Sequence, residues 1–168
     1  MSRNNFLRWM TYVIELVLLY LIQSTPGLIP EIFGARPVLL IPAAIMIAMF
    51  EGDTGGMVIG ILSGLLIDLS GGSVLGVHAI LLGVLCYFIG LSTMDLIKTN
   101  FFTALLFGAV SILLVCLIQW FLFYVVWNYG NNSYALVRHY LPKSAYTFCV
   151  VPLLYFFNRF FALRLSDS

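Results

Sequence analysis

Residues 37–69, PVLLIPAAIMIAMFEGDTGGMVIGILSGLLIDL, contain two apolar runs on either side of the acidic turn Glu51-Gly52-Asp53. A helix needs about 20 mostly apolar residues to cross a hydrocarbon core of about 30 Å. Both runs are slightly shorter than this, and the first carries Pro42, which lacks a backbone N–H for helical hydrogen bonding. The segment therefore predicts two short membrane helices that form a tight hairpin among longer ones.

The rest of the chain has the same apolar character. Of its 168 residues, 62% are hydrophobic and 9% are charged, and the mean hydropathy is +1.05. A soluble domain carries roughly a quarter charged residues, so this chain has too few polar side chains to cover a water-facing surface. Long apolar runs without alternation favour helices over a β-barrel. The predicted fold is an all-α integral membrane protein, a compact bundle of about six transmembrane helices.

The bundle is predicted to be a single transmembrane domain over residues 1–168. The six spans are expected at residues 8–25, 37–51, 54–69, 75–91, 101–127 and 142–163. Six crossings place both termini on one side of the membrane, and that side carries five of the eight Lys and Arg residues. Because positively charged residues are enriched on the cytoplasmic side, the termini are predicted to be cytoplasmic.

Several classes of function are disfavoured by the sequence. The net charge of +1 removes the long-range attraction that drives nucleic-acid binding. We find no Ser/His/Asp grouping, phosphate-binding loop, HExxH motif or nucleotide fingerprint, and the chain has two histidines. The three cysteines lie in separate apolar stretches without metal-binding spacing. We therefore expect no enzyme activity, no cofactor, no metal and no nucleic-acid partner.

The glycines are concentrated in one part of the chain. Ten of the 14 fall between residues 52 and 90. Four of them recur every fourth residue, which places them on one side of the third predicted span, with Asp68 next at the same spacing. We call this set the glycine ridge: Gly52, Gly56, Gly60 and Gly64. Such spacing lets two helices touch, either within the chain or between this chain and a partner protein.

A second set of glycines recurs every seven residues in the fourth predicted span. It consists of Gly76, Gly83 and Gly90. This spacing predicts another smooth stripe, which would face the glycine ridge if the two helices pack as neighbours.

Three polar residues within predicted spans are candidates for buried contacts. An ionised carboxylate at the bilayer centre costs about 2.5 to 3.5 kcal/mol, so Asp68 needs a partner, a cap or a shallow position. It either accepts hydrogen bonds from loop amides at a helix end or makes a polar contact within the bundle, for which His78 is the candidate. His78 itself fits a hydrogen bond to a neighbouring helix better than metal binding. Glu15 is either a buried acid or a partner of Arg8 or Arg3.

The longest predicted loop, residues 128–140, is polar but contains several aromatic side chains. This composition is typical of a segment that lies along the lipid headgroups. Its candidate contact residues are Tyr134, Arg138 and Tyr140.

An ordered series of short motifs resembles the bacterial rod shape-determining protein MreD family. The motifs are Arg36-Pro37, Glu51-Gly52, Gly64-Leu65-Leu66-Ile67-Asp68 and Leu75-Gly76-Val77-His78-Ala79. The resemblance is sharp over residues 36–90, and elsewhere it rests on length, number of spans and hydropathy. Val38 stands where the family typically has an acidic residue after the proline.

The resemblance implies a non-catalytic subunit of the cell-elongation machinery in the bacterial cytoplasmic membrane, which maintains rod shape by scaffolding peptidoglycan-synthesis proteins. The implied partners, besides membrane lipid, are an MreC-like bitopic protein, MreB, RodA and a class B penicillin-binding protein. An alternative is a vitamin-like small-molecule binding subunit of a membrane transporter. The fold class is similar to the membrane substrate-binding component of energy-coupling-factor transporters, although the spans contain few polar side chains to contact a solute.

Overall fold

The computed structural model describes residues 3–25, 27, 37–71, 76–95, 99–121 and 141–166. These residues form five helices and, within these ranges, no strand. The helices are α1 (Arg3–Ser24), α2 (Leu40–Gly71), α3 (Val77–Asp95), α4 (Phe101–Trp120) and α5 (Leu141–Ser166). The predicted all-α fold is confirmed, and the described helices number five rather than about six because α2 joins two helical arms.

The difference in helix number arises at Gly52, in the middle of α2. Gly52 has φ 84° and ψ −162°, a conformation that is essentially restricted to glycine. A Cβ atom on Gly56 would lie 2.8 Å from Cβ of Ala48, whereas eight residues of straight helix would separate them by about 12 Å. The chain therefore reverses at Gly52, and α2 has a first arm (residues 40–51) and a second arm (residues 53–71) that pack side by side.

The first arm forms the core of the bundle. Every residue from 37 to 49 is buried, and six consecutive residues are fully inaccessible: Ala43, Ala44, Ile45, Met46, Ile47 and Ala48. A helix that is apolar on all sides is stable only when other elements or lipid surround it. Here α1, α4, α5 and the second arm pack around it.

Side chains from two neighbouring helices bind the start of the first arm. The Val38 N–H donates to Oγ1 of Thr147 at 3.1 Å, and the Leu39 N–H donates to Oε1 of Gln23 at 2.8 Å. The first amides of a helix have no partner within the helix, so these contacts satisfy donors that would otherwise be buried unpaired. Pro42 lies in the first helical turn, where its missing N–H removes no helical hydrogen bond.

The outward faces of the helices are apolar. Large hydrophobic side chains are exposed on α1, α3, α4 and α5, and examples are Leu18, Ile80, Phe102 and Leu153. In the described part of the chain, four apolar segments have the length and composition of membrane spans: Phe6–Ser24, Val77–Met94, Phe101–Trp120 and Leu40–Ser70, the last of which is the reversing α2. Apolar surface of this extent requires lipid or other protein as its surroundings.

A buried polar contact joins α1 to α5. Asn158, which is fully buried, donates from Nδ2 to Oε1 of Glu15 at 2.8 Å, and Glu15 is 6% exposed. Arg8 forms its ion pair with Glu51 rather than with Glu15. Of the two interpretations of Glu15, the structure thus supports a buried acid and contradicts a pairing with Arg8.

This contact gives a prediction for Glu15. Glu15→Gln keeps an oxygen that accepts from Asn158, so we expect no loss of thermal stability in detergent. Glu15→Leu leaves the Asn158 amide without this acceptor and should lower the free energy of unfolding by about 1 kcal/mol. Melting curves of both variants, beside Val13→Leu on the exposed face of α1, measure the difference. Equal losses in the Gln and Leu variants would contradict this role for the hydrogen bond.

Candidate functional site

The glycine ridge lies on the face of the second arm that packs against α3. An ideal Cβ on Gly60 would be 2.5 Å from the carbonyl oxygen of Leu82, and one on Gly64 would be 2.4 Å from Cα of Ala79. Real Cβ atoms do not approach backbone atoms this closely. The two helices therefore touch backbone to backbone, as small-xxx-small spacing permits.

The contacts follow a regular antiparallel register. Gly52 lies opposite Gly90, where a Cβ on Gly90 would be 2.1 Å from the Gly52 carbonyl oxygen. Further along, Gly56 lies against the Cys86 carbonyl oxygen. From Gly52 to Gly64 the ridge covers twelve residue steps, about 18 Å of helix. The glycine ridge is thus covered by α3 over more than half of a hydrocarbon core of about 30 Å.

The stripe of Gly76, Gly83 and Gly90 does not form the opposite face as expected. Gly90 meets the ridge, but Gly83 faces the side chain of Ile61. Gly76 precedes α3 with φ 98°, and a Cβ there would meet no atom within 4 Å. The prediction of one stripe facing the ridge is therefore wrong. Gly76 precedes the first residue of α3, so the helical spacing does not extend to it, and Gly83 meets a side chain of the second arm rather than a ridge glycine.

Three residues of α3 that contact the ridge were missed by the sequence analysis. They are Ala79, Leu82 and Cys86, which with Gly90 face the second arm. Three of these four side chains are small, at spacings of seven and then four residues. A scan for any small side chain, rather than for glycine alone, would have identified this face.

Asp68, at the far end of the ridge, binds the start of α3. Its carboxylate accepts from the Gly76 N–H at 2.8 Å and from the His78 N–H at 3.3 Å, with a longer contact to the Ala79 N–H at 3.4 Å. The N-terminal amides of a helix carry partial positive charge and lack partners within the helix, so a carboxylate is well placed there. Asp68 is 2% exposed. It therefore caps the start of α3.

The same carboxylate also holds the His78 ring. Oδ1 of Asp68 lies 2.5 Å from Nδ1 of His78, and Nε2 of His78 contacts the side-chain amide of Gln119 in α4. When Nδ1 donates to the carboxylate, Nε2 of the neutral ring accepts from the amide. This chain of three polar residues links α2, α3 and α4. Gln119 carried no signal in the sequence analysis, because a single glutamine in an apolar run has no spacing to reveal its partner.

The opposite end of the hairpin is fixed to α1. Arg8 forms a half-buried ion pair with Glu51, next to the reversal at Gly52. The side chain of Met94 packs against Gly52, where its sulfur would be 2.5 Å from an added Cβ. Hydrogen-bonded and ionic contacts thus occur at both ends of the second arm, with the glycine ridge between them.

The remaining candidate residues, Tyr134, Arg138 and Tyr140, lie outside the described residues. Their role as contact residues stays a prediction.

The long apolar helices, the buried first arm and the apolar outer faces define an α-helical integral membrane protein. Several of its polar groups, among them Glu15, Asp68 and His78, bond from one helix to another. The family model described as rod shape-determining protein MreD matches residues 3–164, and the chain belongs to this family. No curated protein and no solved structure shows significant similarity to the chain. The resemblance that the motifs of residues 36–90 indicate is therefore confirmed, and the match covers nearly the whole chain.

Proposed function

We propose that this chain is a non-catalytic scaffold subunit of the cell-elongation complex in the bacterial cytoplasmic membrane, with both termini in the cytoplasm. Membership of the MreD family supports a role in rod shape. The excess of Lys and Arg on the side of the termini supports the orientation. The polar groups of the second arm, α3 and α4 bond to one another. A bundle that is fixed internally in this way is suited to a scaffold that positions other proteins.

The observation that carries the scaffold role is the uncovered face of α1. One side of this helix is buried in the bundle and carries Tyr12, Glu15 and Leu16. The other side exposes a continuous row of apolar side chains at helical spacing. The row consists of Met10, Ile14, Leu18 and Leu21, each about half exposed. A row of this kind fits the apolar face of another membrane helix, and the transmembrane helix of an MreC-like protein is the proposed occupant.

The glycine ridge has a different role in this proposal. Because α3 covers it, a partner helix reaches it only if α3 is displaced. We assign Gly52, Gly56, Gly60, Gly64 and Gly90 to packing within the chain. These glycines keep the hairpin rigid, and the exposed apolar row of α1 is the surface that contacts the partner.

The test replaces the native gene with variants in the organism of origin. The double variant Ile14→Trp and Leu18→Trp adds bulk to the α1 row. We expect it to accumulate normally, to lose most of its co-purification with the MreC-like protein in mild detergent, and to give rounded cells. The matched control, Leu106→Trp and Leu153→Trp, adds the same bulk to exposed faces of α4 and α5 and should leave rod shape intact.

Two outcomes would contradict the proposal. One is that depletion of the protein leaves cell shape unaltered. The other is that the protein purifies as a monomer free of an MreC-like protein under every mild condition. Retention of a vitamin through purification would support the transporter alternative instead. The further candidate partners MreB, RodA and the class B penicillin-binding protein are tested by the same co-purification.

A further inference from the structure

The described residues line a cleft of about 430 Å³ where α1 ends and α5 begins. Its polar side chains come from three helices: Tyr20, Gln23, Ser24, Ser70 and Lys143. Ser24 and Ser70 are the last residues of the apolar segments Phe6–Ser24 and Leu40–Ser70. The cleft therefore lies at the boundary between hydrocarbon and headgroups, at the end of the bundle away from the Arg8–Glu51 pair.

Lys143 gives this cleft a positive charge. In the part of the chain that the structure describes, Glu51 pairs with Arg8 and Asp68 contacts the His78 ring, and no carboxylate pairs with the Lys143 ammonium. A lysine at a membrane boundary attracts the anionic headgroups of lipids. The hydroxyl and amide groups around it are hydrogen-bond donors suited to phosphate oxygens.

The cleft shares walls with a second cavity, which in turn shares walls with a third. Lys143 and Val38 also line a small cavity of about 20 Å³, which has room for one water-sized group. Ile112 and Ser144 line both this small cavity and a groove of about 200 Å³ between α4 and α5, whose walls are almost entirely apolar. The small cavity has room for a methylene group of an acyl chain, and the groove offers an apolar surface to the rest of the chain.

The order of these cavities agrees with the geometry of a lipid. Lys143 and Phe148, which lines the groove, are five residues apart on α5, about 7.5 Å along the helix axis. The groove thus lies deeper than the ammonium group, on the side of the hydrocarbon core. A ligand that occupies both sites has an anionic head at the boundary and an apolar tail below it.

We propose that these cavities bind one membrane phospholipid with an anionic headgroup, its phosphate on Lys143 and one acyl chain in the groove between α4 and α5. A water-soluble anion would use the cleft and leave the groove empty. A neutral apolar molecule would use the groove and gain nothing from Lys143. The combination of a cationic cleft and an apolar groove selects an amphiphile that carries negative charge. This proposal does not depend on the proposed role in cell elongation.

The experiment is native mass spectrometry of the full chain titrated with defined lipids. The probes are phosphatidylglycerol, phosphatidylcholine with the same acyl chains, and glycerol phosphate as a headgroup without chains. We expect one saturable adduct, with phosphatidylglycerol bound about fivefold more tightly than phosphatidylcholine, since one lysine near a membrane surface adds about that factor. Glycerol phosphate should not displace the lipid.

Two pairs of variants divide the site into head and tail. Lys143→Met should abolish the preference for phosphatidylglycerol, whereas Arg159→Met, which removes one charge from the other end of α5, should retain it. Ala145→Phe fills the groove and should weaken both lipids by more than about tenfold, because each buried methylene contributes to affinity. Leu153→Phe, at an exposed position of α5, is its control.

Equal affinity for the two lipids in the native chain would overturn the proposal, as would displacement of the lipid by glycerol phosphate. A Lys143→Met chain that keeps the preference would also overturn it. If Lys143→Met does not accumulate, the comparison of lipids on the native chain and the Ala145→Phe result still decide the question.

Discussion

Gly60→Leu is expected to abolish accumulation of the folded protein in the membrane. A Cβ at this position would lie 2.5 Å from the Leu82 carbonyl oxygen and 2.9 Å from Cβ of Cys86, so even the first added carbon meets the backbone of α3. Backbone atoms cannot rotate away as a side chain can. The two helices would have to separate along the glycine ridge, and we expect a loss of at least about 3 kcal/mol in the free energy of unfolding.

The measurement compares Gly60→Leu with Gly55→Leu by membrane immunoblot and by size-exclusion profile in detergent. Gly55 lies on the same arm, but an added Cβ there meets only the side chain of Glu51. The control should therefore accumulate, whereas Gly60→Leu should be degraded or aggregated, and Gly60→Ala should fall between them. Normal levels and activity of Gly60→Leu would refute the close packing of the second arm on α3.

Asp68→Ala is expected to have the second-largest effect. The substitution leaves the Gly76 and His78 amides and the His78 ring without their acceptor in a buried site. Each unsatisfied buried donor costs about 1 to 3 kcal/mol, so the free energy of unfolding should fall by about 3 kcal/mol. Asp68→Asn keeps one acceptor oxygen and should lose roughly half as much.

Thermal melts in detergent, together with hydrogen exchange of α3, test this prediction. The N-terminal amides of α3 should exchange faster in Asp68→Ala, because the helix loses its cap. Asp53→Ala is the control, since Asp53 bonds only to the neighbouring Thr54 among the described residues and lies at the opposite turn. An Asp68→Ala chain as stable as the control would show that the carboxylate does not hold the helices together.

The sequence predicts the hairpin because it combines two apolar runs with a glycine in a polar turn, and each of these is a local signal. The glycine ridge is equally visible, since its four-residue spacing belongs to one helix. The face that covers it could not be predicted, because the register between two helices depends on both backbones. Ala79 contacts Gly64 and Cys86 contacts Gly60, and neither contact has a signal in the local sequence.

The polar link through His78 was predictable in part. An aspartate and a histidine in neighbouring apolar spans both need polar partners, so each is the natural candidate to bond to the other. Gln119 joins them from a helix 41 residues further along, and no local pattern specifies that approach. The choice between a cap and a side-chain contact for Asp68 was also undecidable from sequence, because its two oxygens perform both roles.

The burial of the first arm constrains the order in which the chain matures. Its start is bonded to Thr147, 109 residues later in the chain, so ribosomes complete this arm long before its final neighbour exists. Membrane helices insert first and associate afterwards. Because the nascent arm is apolar on every side, it is stable in lipid before α5 is synthesised. Synthesis of α5 therefore completes the assembly, and a chain truncated before residue 141 should remain inserted yet open to membrane proteases.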